Sequence, residues 1–457
     1  MSPVAPARRE AYAILRAVGS GRLDLPAALA RARERLADPR DRALAAEIAT
    51  GTLRWRGAID AVVAAFARGG IDRLDLEVLE ILRLGAYQLL HLERVPPSAV
   101  VNDAVDLART GGKGSASGLV NAVLRRIDRE RAALPLPPRP AAPGADSVAD
   151  LDYLSVTLSH PRWLVERWLA RFGFDQVEAW LRFNNHPAPL TLRANTLAAG
   201  REEVARQLAD AGVQTELSRL APDGLRVVRG NPLAPGVADA RRFVVQDEAS
   251  QLVALFAGAA AGDRALDACA APGGKSLALA AAVGPRGLLV AADLRARRVA
   301  LLAATLRESG ASAVRVVRAD AARPLPFAAA FDLVLLDAPC SGLGTVRRDP
   351  EIRWRRSPDD LPRLAEAQRL MLGQAAGAVR PGGRLVYATC SSEPEENEDV
   401  VAAFLGARPD FEPVAGPGTG LWTRPAAEAL DEAGHLRTWP FRHGLEAFFA
   451  AMLRRRQ

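Results

Sequence analysis

The segment RALDACAAPGGKSLALA, residues 264–280, decides the fold of the C-terminal half of this chain. An apolar run ends in a turn of small residues and glycines, and a run of helix-forming residues follows at once. Glycines in such a turn let the backbone approach a ligand closely, and the helix that begins there offers unpaired N–H groups. The segment therefore predicts the first strand, the glycine-rich loop and the first helix of an open α/β sheet.

Further apolar runs alternate with helical segments from about Arg241 onward. This alternation is typical of a parallel sheet with helical crossovers. We predict five strands, which are in chain order RALDA, GLLVAAD, AVRVVRAD, FDLVLLD and RLVYATC. The C-terminal half is therefore predicted to be a Rossmann-like α/β domain.

All three cysteines of the chain end predicted strands: Cys269, Cys340 and Cys390. Open α/β sheets carry their chemistry just beyond the carboxyl ends of the strands, so at least one of these thiols is expected to be a reagent. An odd number of cysteines without a C-x-x-C pair argues against a disulfide framework and against a zinc site. We expect no bound metal.

Composition points to a globular protein with an anionic partner. The 457 residues are 49% hydrophobic and 25% charged, and the formal net charge is +7. No run approaches the ~18–20 apolar residues of a membrane span, and no apolar signal-peptide core begins the chain, so we expect a cytoplasmic protein without membrane contact. Only Lys113 and Lys275 are lysines among 60 basic residues, and the position of Lys275 in the glycine loop singles it out.

The chain is predicted to contain three folded parts and one linker. Residues 1–133 have helical spacing of apolar residues throughout, and residues 134–150 form a Pro-rich linker. Residues 151–236 mix helical and strand patterns in a small α+β unit, and residues 237–457 form the Rossmann-like domain.

Acidic residues end the second and third predicted strands, Asp293 and Asp320. An acid about 20 residues beyond a glycine loop commonly binds the ribose hydroxyls of a nucleoside cofactor. A rival interpretation is a Walker A loop, G-x-x-x-x-G-K-[ST], with Cys269 in place of the first glycine. The missing glycine, together with Pro272, which has no N–H, argues against an NTPase, but this alternative stays open on the residues alone.

Several motifs together resemble those of S-adenosylmethionine-dependent RNA cytosine-C5 methyltransferases: CAAPGGK, DAPCSG, RRDPEIRW, and YATCS followed by PEEN. The front part resembles the RNA-binding NusB family in GTLRW and VNAVLRRI, and SHPRWLVERW and FVVQDEASQL belong to the same pattern. Together they resemble the bacterial small-subunit ribosomal RNA methyltransferase B group over nearly the whole chain. The resemblance implies a class I methyltransferase domain, an all-α NusB-like N-terminal domain and a small α+β middle unit.

The resemblance also implies S-adenosylmethionine as cofactor. The C-terminal HGLEAFF departs from the usual D-G-F-F of the family at Glu446 and Ala447, which leaves open the local structure at the far strand. The residues that the resemblance assigns to the cofactor site are Cys269, Ala270, Ala271, Pro272, Gly273, Gly274, Lys275, Asp293, Arg298, Asp320 and Asp337.

Methylation of cytosine at carbon 5 requires a thiolate that adds at carbon 6 and an acid at N3. Asp337, Cys340 and Cys390 end neighbouring predicted strands and are the candidates. A capping box of Ser392 and Glu395 would set Cys390 at a helix N-terminus and lower the pKa of its thiol, while nearby glutamates oppose this, so the residues alone do not decide which cysteine attacks. The resemblance implies that Cys390 attacks and Cys340 assists product release, whereas DNA cytosine methyltransferases exchange these roles.

The expected partner is small-subunit (16S) ribosomal RNA, and the chain is expected to act as a monomer. A paired base cannot reach a buried thiolate, so the target nucleotide must be flipped or unpaired. Transfer RNA as substrate, and a non-catalytic NusB-like RNA-binding factor, are the alternatives. The predicted RNA contacts are Arg347, Arg348, Arg353 and Trp354 after the P-C motif, and Arg54, Arg56, Arg125 and Arg126 in the front part.

Overall fold

The computed structural model describes residues 4–67, 69–234, 236–237, 239–416 and 424–457. The chain divides into two compact units, of which the first comprises Met1–Pro187 with Val346–Arg356 and the second comprises Ala188–Thr345 with Ser357–Gln457. The boundaries predicted from sequence at residues 133, 150 and 236 stay predictions. No helix within the described ranges has the length and apolar character needed to cross a bilayer.

The first unit is helical. Apolar residues recur at helical spacing and face one core, as at Val120, Val123, Leu124 and Ile127 of the seventh helix. Its helices are α1 Pro6–Gly19, α2 Leu25–Arg35, α3 Pro39–Arg54, α4 Arg56–Phe66, α5 Leu76–His91, α6 Pro97–Thr110, α7 Ser117–Glu130, α8 Ser147–Asp152, α9 Arg162–Phe172 and α10 Phe174–Asn185.

Helix α5 forms the centre of this unit, because all its residues from Val78 to Leu89 are buried. The neighbouring helix α3 approaches it closely at Gly51, where an added Cβ would lie 1.9 Å from Cζ of Tyr87. Helix α7 makes a similar approach, since a Cβ at Gly85 would lie 2.7 Å from a methyl group of Leu124. Glycine at these two positions therefore permits helix spacings that any side chain would prevent.

A segment from the middle of the C-terminal half belongs to the helical unit. Val346–Arg356 contains the one-turn helix Ile352–Arg355, and Arg353 within it is fully buried. The Arg353 guanidinium donates hydrogen bonds to the carbonyl oxygens of Ser159, Asn184 and Val346 and to Oδ1 of Asn185, at 3.0–3.3 Å.

Two neighbours of Arg353 make further contacts inside this unit. The indole N–H of Trp354 donates to the carbonyl of Leu53 at 2.7 Å, and the Glu351 carboxylate accepts from the N–H of Leu25 at 2.8 Å. The sequence RRDPEIRW therefore serves as an internal connection of the helical unit.

These contacts correct part of the predicted RNA surface. Arg353 is fully buried and Arg54 is 5% exposed, and Arg54 donates to the carbonyl of Arg347. The predicted RNA contact of Arg353 is therefore wrong, because its guanidinium does not reach solvent, whereas the predicted contact of the nearly buried Arg54 stays a prediction. Arg125 and Arg126 on α7 are exposed, so their predicted role stays a prediction.

The second unit begins with a small antiparallel sheet in the order β2-β3-β1-β4. Strands β2 and β4 are not among the predicted strands. β2 is short and largely exposed and gives no apolar run, and β4 has only three residues. The elements are β1 Thr191–Ala194, α11 Arg201–Asp210, β2 Gln214–Leu217, β3 Gly224–Arg229 and β4 Phe243–Val245.

The large sheet of the second unit has the order β10-β12-β9-β8-β5-β6-β7, with β11 paired to β12. Its strands are β5 Arg264–Asp267, β6 Leu288–Asp293, β7 Arg315–Arg318, β8 Phe331–Asp337, β9 Val379–Thr389, β10 Phe411–Val414, β11 Leu436–Arg437 and β12 Phe449–Arg455. Its helices are α12 Glu248–Ala257, α13 Gly274–Val283, α14 Ala296–Glu308, α15 Asp360–Ala376 and α16 Glu398–Ala407, with one-turn helices Arg424–Ala427 and Pro440–His443.

The five strands predicted from sequence are β5 to β9, and they form the parallel part of this sheet. The predicted Rossmann-like fold is confirmed. The strand order reverses at β5, since β6 and β7 lie on one side of it and β8 and β9 on the other. Ligands bind at such a switch point, so the carboxyl end of β5 is where a site is expected.

We predict that Arg353→Met destabilises the helical unit by about 2–5 kcal/mol, because buried carbonyl groups lose their donor while the side-chain volume is retained. Five of the seven tryptophans lie in this unit, so tryptophan fluorescence during urea unfolding measures the effect. The matched control is Arg129→Met, whose side chain is 69% exposed. Equal unfolding midpoints for the two variants would contradict this account.

Candidate active site

A cavity of about 270 Å³ lies at the carboxyl end of β5. The loop after β5 is fixed by backbone hydrogen bonds, among them the N–H of Ala270 to the carbonyl of Ala292 at 2.8 Å. Gly273 has φ of +111°, and an added Cβ would lie 3.0 Å from Leu302, so glycine is required at this turn. The residues that line the cavity are Val245, Gln246, Asp247, Ser250, Asp267, Cys269, Ala270, Ala271, Pro272, Gly274, Lys275, Asp337 and Phe448.

Two lining residues carry buried acceptor atoms that have no hydrogen-bond partner among the described residues: Oδ1 of Asp267 and Oε1 of Gln246. The other oxygen of Asp267 accepts from Oγ of Ser276 at 2.7 Å. Burial raises the pKa of Asp267 to about 7, and the nearby charge of Asp337 adds to this, while the Ser276 hydrogen bond opposes it. A ligand that donates hydrogen bonds fits such a cavity.

Neither Asp267 nor Gln246 was among the predicted site residues. A signal for Asp267 was present in the sequence, because it ends β5 as Asp293 ends β6 and Asp337 ends β8. Gln246 lies in the motif FVVQDEASQL, which had no assigned role.

Lys275 and Asp337 form an ion pair in the wall of the cavity, with Nζ 2.7 Å from Oδ2. Nζ also donates to Oγ of Ser250 at 2.8 Å and lies 5.9 Å from the ring centre of Phe448. Burial alone would lower the pKa of Lys275, but the charge and hydrogen bond of Asp337 raise it above its ordinary value. Lys275 is therefore an ammonium that fixes the Asp337 side chain.

The acid at the end of β6 braces the glycine loop. Asp293 accepts from the N–H of Ala271 at 3.2 Å and lies 3.4 Å from Nε of Arg298. Nη2 of Arg298 donates to the Ala271 carbonyl at 2.6 Å. Asp320 accepts from the N–H of Ala322 at 3.0 Å at the end of β7. Asp293, Arg298 and Asp320 lie outside the residues that line the cavity.

The structure brings Cys340 and Cys390 together, with their Sγ atoms 3.3 Å apart. Strands β8 and β9 pair in parallel with Asp337 opposite Ala388, so the loops that follow them are adjacent. The hydrogen bond with Cys390, together with burial, raises the pKa of Cys340 well above its ordinary value. Cys340 is therefore a neutral thiol beside Cys390.

A close backbone approach keeps these two loops in contact. The N–H of Gly344 donates to the Cys390 carbonyl at 3.0 Å, and the N–H of Ala447 donates to the Gly344 carbonyl at 3.0 Å. A Cβ at Gly344 would lie 1.9 Å from the carbonyl oxygen of Ala447. Ala447 acts here through its backbone, so the departure of its side chain from D-G-F-F does not change this contact.

The third cysteine has a different environment. Burial and the surrounding carboxylates of Asp267, Asp337 and Asp293 raise the pKa of Cys269 above its ordinary range. Its thiol is therefore kept neutral in the cavity wall. None of the three cysteines forms a disulfide, and the described residues hold no group of three or more His, Cys, Asp or Glu side chains that could bind a metal.

The predicted capping box beside Cys390 is wrong. The helical turn there is the short 3-10 helix Pro394–Glu396, which follows Glu393 and has no side-chain cap, and α16 begins only at Glu398. Oγ of Ser392 donates instead to the Glu393 carboxylate at 2.8 Å. The helix-dipole argument for Cys390 as the attacking thiol therefore fails.

Comparisons with known proteins identify a related family for each successive part of the chain. Family models match at residues 5–129 for the NusB family, at residues 160–234 for a ferredoxin-like domain of RsmF/B-like methyltransferases, and at residues 255–454 for 16S rRNA methyltransferase RsmB/F.

The chain is similar to several relatives over most of its own length and of theirs. It is 33% identical over 419 residues to the probable ribosomal RNA small subunit methyltransferase B of Bacillus subtilis, covering 91% of each chain. It is 39% identical over 470 residues to the putative methyltransferase Rv1407 of Mycobacterium tuberculosis, covering 99% of this chain and 97% of the relative. Among solved structures, PH0851 has a TM-score of 0.79 at 27% identity and covers 99% of each chain.

The raised pKa of Asp267 makes a prediction about stability. Between about pH 4 and pH 7 the unfolded protein ionises this carboxyl while the folded protein keeps it neutral, so rising pH costs the folded state up to about 4 kcal/mol. Asn at this position has no such titration and still accepts from Ser276. We expect Asp267→Asn to lose less stability than wild type between pH 4 and pH 7, as measured by urea unfolding. Parallel stability curves for the two proteins would contradict the assignment.

Proposed function

The chain belongs to the 16S rRNA methyltransferase RsmB/F family, and from this premise we propose that it methylates carbon 5 of a cytidine in small-subunit ribosomal RNA through a covalent cysteine adduct at carbon 6. The methyl donor in this proposal is S-adenosylmethionine. The observation that carries the proposal is the pair of thiols, Cys340 and Cys390, 3.3 Å apart at the ends of adjacent strands. Strand β8, which precedes Cys340, ends in Asp337, and Asp337 lines the cavity.

The residues around the cavity fit S-adenosylmethionine. Oε1 of Gln246, and the Asp267 carboxyl once it is ionised, would accept from the ammonium and N–H donors of this molecule, and the glycine loop lets backbone approach it closely. Asp293, braced by Arg298, ends the strand where a ribose-binding acid is expected. Bound there, S-adenosylmethionine supplies an electrophilic methyl group on a sulfonium. A ligand of this kind also agrees better with the family than the nucleoside triphosphate of a Walker A loop does.

Carbon 5 of cytosine is a poor nucleophile until the ring is activated. In the proposed reaction the Cys390 thiolate forms a C–S bond at carbon 6, and the ring electrons make carbon 5 enamine-like. Asp337 orients the base at N3 and passes a proton to it. The Lys275 ammonium, 2.7 Å from the Asp337 carboxylate, is the adjacent proton source.

Product release requires loss of the proton on carbon 5 and departure of the Cys390 sulfur. The largest cause of the raised pKa of Cys340 is its hydrogen bond with Cys390. Once Cys390 is bonded to carbon 6 its thiol no longer offers that interaction, so the Cys340 thiol loses its own proton to solvent more easily, and the resulting thiolate can accept the carbon 5 proton. Cys340 therefore acts late in the proposed reaction, after Cys390.

The remaining parts of the chain are proposed to dock the RNA. The NusB-like residues 1–133 and the unit at residues 151–236 would bind structured RNA, with exposed Arg125 and Arg126 on α7 contacting phosphates. The target cytidine must leave any base pair to meet the thiols. The protein is proposed to act as a monomer.

The test of the function is methyl transfer from radiolabelled S-adenosylmethionine to protein-free small-subunit ribosomal RNA. Wild type is expected to label cytosine at carbon 5, Cys390→Ala to reduce labelling to background, and Cys340→Ala to accumulate a protein–RNA adduct, because each variant stops a different step. Retained binding of S-adenosylmethionine is the control for folding. Labelling of transfer RNA alone would change the substrate, and no labelling of any RNA by wild type would overturn the enzymatic proposal.

We further expect Lys275→Met to lower kcat for methyl transfer about 100-fold, because Asp337 loses the cation that holds it and supplies its proton. Covalent trapping by RNA that carries 5-fluorocytidine measures the addition step directly. The matched variant is Lys113→Met, which removes the other lysine of the chain at an exposed pair with Asp75. Wild-type rates of trapping in Lys275→Met would refute this role.

A further inference from the structure

A buried carboxylate with no part in the proposed reaction lies behind the two thiols. Glu396 is fully buried and accepts hydrogen bonds from the N–H of Ser341 at 2.8 Å, from Oγ of Ser341 at 2.5 Å, and from Nε2 of Gln368 at 2.9 Å. Oγ of Ser391 donates to it as well. Four donors thus converge on the two oxygens of one side chain.

The donors come from the residues that directly follow the two cysteines. Ser341 follows Cys340, and Ser391 follows Cys390, so one carboxylate is bonded to both loops. The two serine hydroxyls also lie 3.2 Å apart, in contact with each other. The position of Glu396 therefore limits how far the two thiols can separate.

Glu396 is itself held from behind. The Tyr387 hydroxyl, on β9, donates to the Glu396 carbonyl at 2.6 Å. Gln368, on α15, also donates to the carbonyl of Pro339, the residue before Cys340, at 3.0 Å. Because Glu396 is fixed by these neighbours, it can hold the two loops without losing much conformational entropy of its own. Fixed supporting residues of this kind are what a preorganised site requires.

We propose that Glu396 is a positioning residue that sets the spacing of Cys340 and Cys390 by accepting hydrogen bonds from the residue after each of them. This inference rests on the proposed function, in which both thiols act on one base. Without the carboxylate, the contacts that remain between the loops after β8 and β9 include the pair of thiols, the pair of serine hydroxyls and the backbone bond of Gly344 to Cys390, and none of these fixes both loops to a third group. A displacement of about 1 Å at reacting atoms costs roughly 100-fold in rate.

The charge of Glu396 has a second effect. It is among the groups that raise the pKa of Cys340, after the Cys390 hydrogen bond, burial and the charge of Cys390. Removal of the carboxylate charge should therefore make the Cys340 thiol easier to ionise. A residue that only filled space would leave this titration unchanged.

The test uses the full chain and the variant Glu396→Gln, which keeps the shape of the side chain but removes its charge and one acceptor oxygen. Glu366→Gln is the matched control, since Glu366 is exposed on the same helix as Gln368. We expect Glu396→Gln to lower kcat about 10- to 100-fold, with the Kd for S-adenosylmethionine and the KM for RNA within about threefold of wild type. The control should match wild type in all three.

The second measurement is alkylation of Cys340 and Cys390 by iodoacetamide across a pH series, resolved by peptide mass spectrometry. In Glu396→Gln the midpoint for Cys340 should move to lower pH, because the opposing charge is gone. This measurement needs no RNA and no methyl donor. It therefore separates failure of this inference from failure of the proposed function, in which wild type itself would not methylate RNA.

An unchanged kcat together with an unchanged Cys340 midpoint in Glu396→Gln would overturn the inference. If that variant does not fold, the variants Ser341→Ala and Ser391→Ala provide the test. Each removes one hydroxyl donor to the Glu396 carboxylate and should lower kcat about three- to tenfold. Wild-type kcat in both serine variants would overturn it equally.

Discussion

The parallel pairing of β8 with β9 is the constraint on which the candidate site depends. Asp337 lies opposite Ala388, and the N–H of Ala338 donates to the Ala388 carbonyl at 2.8 Å, so the two strands end side by side. Parallel strands lie about 4.8 Å apart, which is close enough for the residues just beyond them to touch. Two cysteines 50 positions apart in sequence are thereby brought to hydrogen-bond distance. Glycine at position 344 and the carboxylate of Glu396 then hold the loops that follow in contact.

The electrostatics of the site follow from the same edge of the sheet. Strands β5, β6 and β8 each end in an aspartate, and the Lys275 ammonium pairs directly with one of them, Asp337. Burial in a dry wall, and to a lesser degree the neighbouring acidic groups, disfavours negative charge, so the pKa values of Asp267 and Cys269 rise. Lys275 is a compact ammonium that fits between Asp337 and Ser250, where a planar guanidinium would need a larger space. This difference in size is a structural reason for lysine, and not arginine, at position 275 of an arginine-rich chain.

The sequence was least informative where a residue acts at a distance along the chain. The position of Arg353 after the P-C motif, among several arginines, predicts an RNA contact, but the side chain is buried in the helical unit against carbonyls of Ser159 and Asn184. Local sequence contains no sign of this burial, because the residues adjacent to Arg353 in the chain do not distinguish a buried arginine from an exposed one. In the sequence Glu396 is one letter of the PEEN motif and carries no signal of its own, and in place of the predicted capping box of Ser392 and Glu395 the Ser392 hydroxyl donates to Glu393.

The sequence by itself determined the Rossmann-like sheet, because apolar strands buried on both faces are continuous runs and alternate with helices at regular spacing. It also determined which strand ends carry cysteines, aspartates and the glycine loop. A residue that follows a parallel strand lies at the carboxyl edge of the sheet whatever the order of the strands. Only the tertiary structure decided the distances: the contact of Cys340 with Cys390, the pair of Lys275 with Asp337, and the four hydrogen bonds of Glu396. Such contacts depend on strand order and register, which are set by long-range pairing and burial that no local pattern encodes.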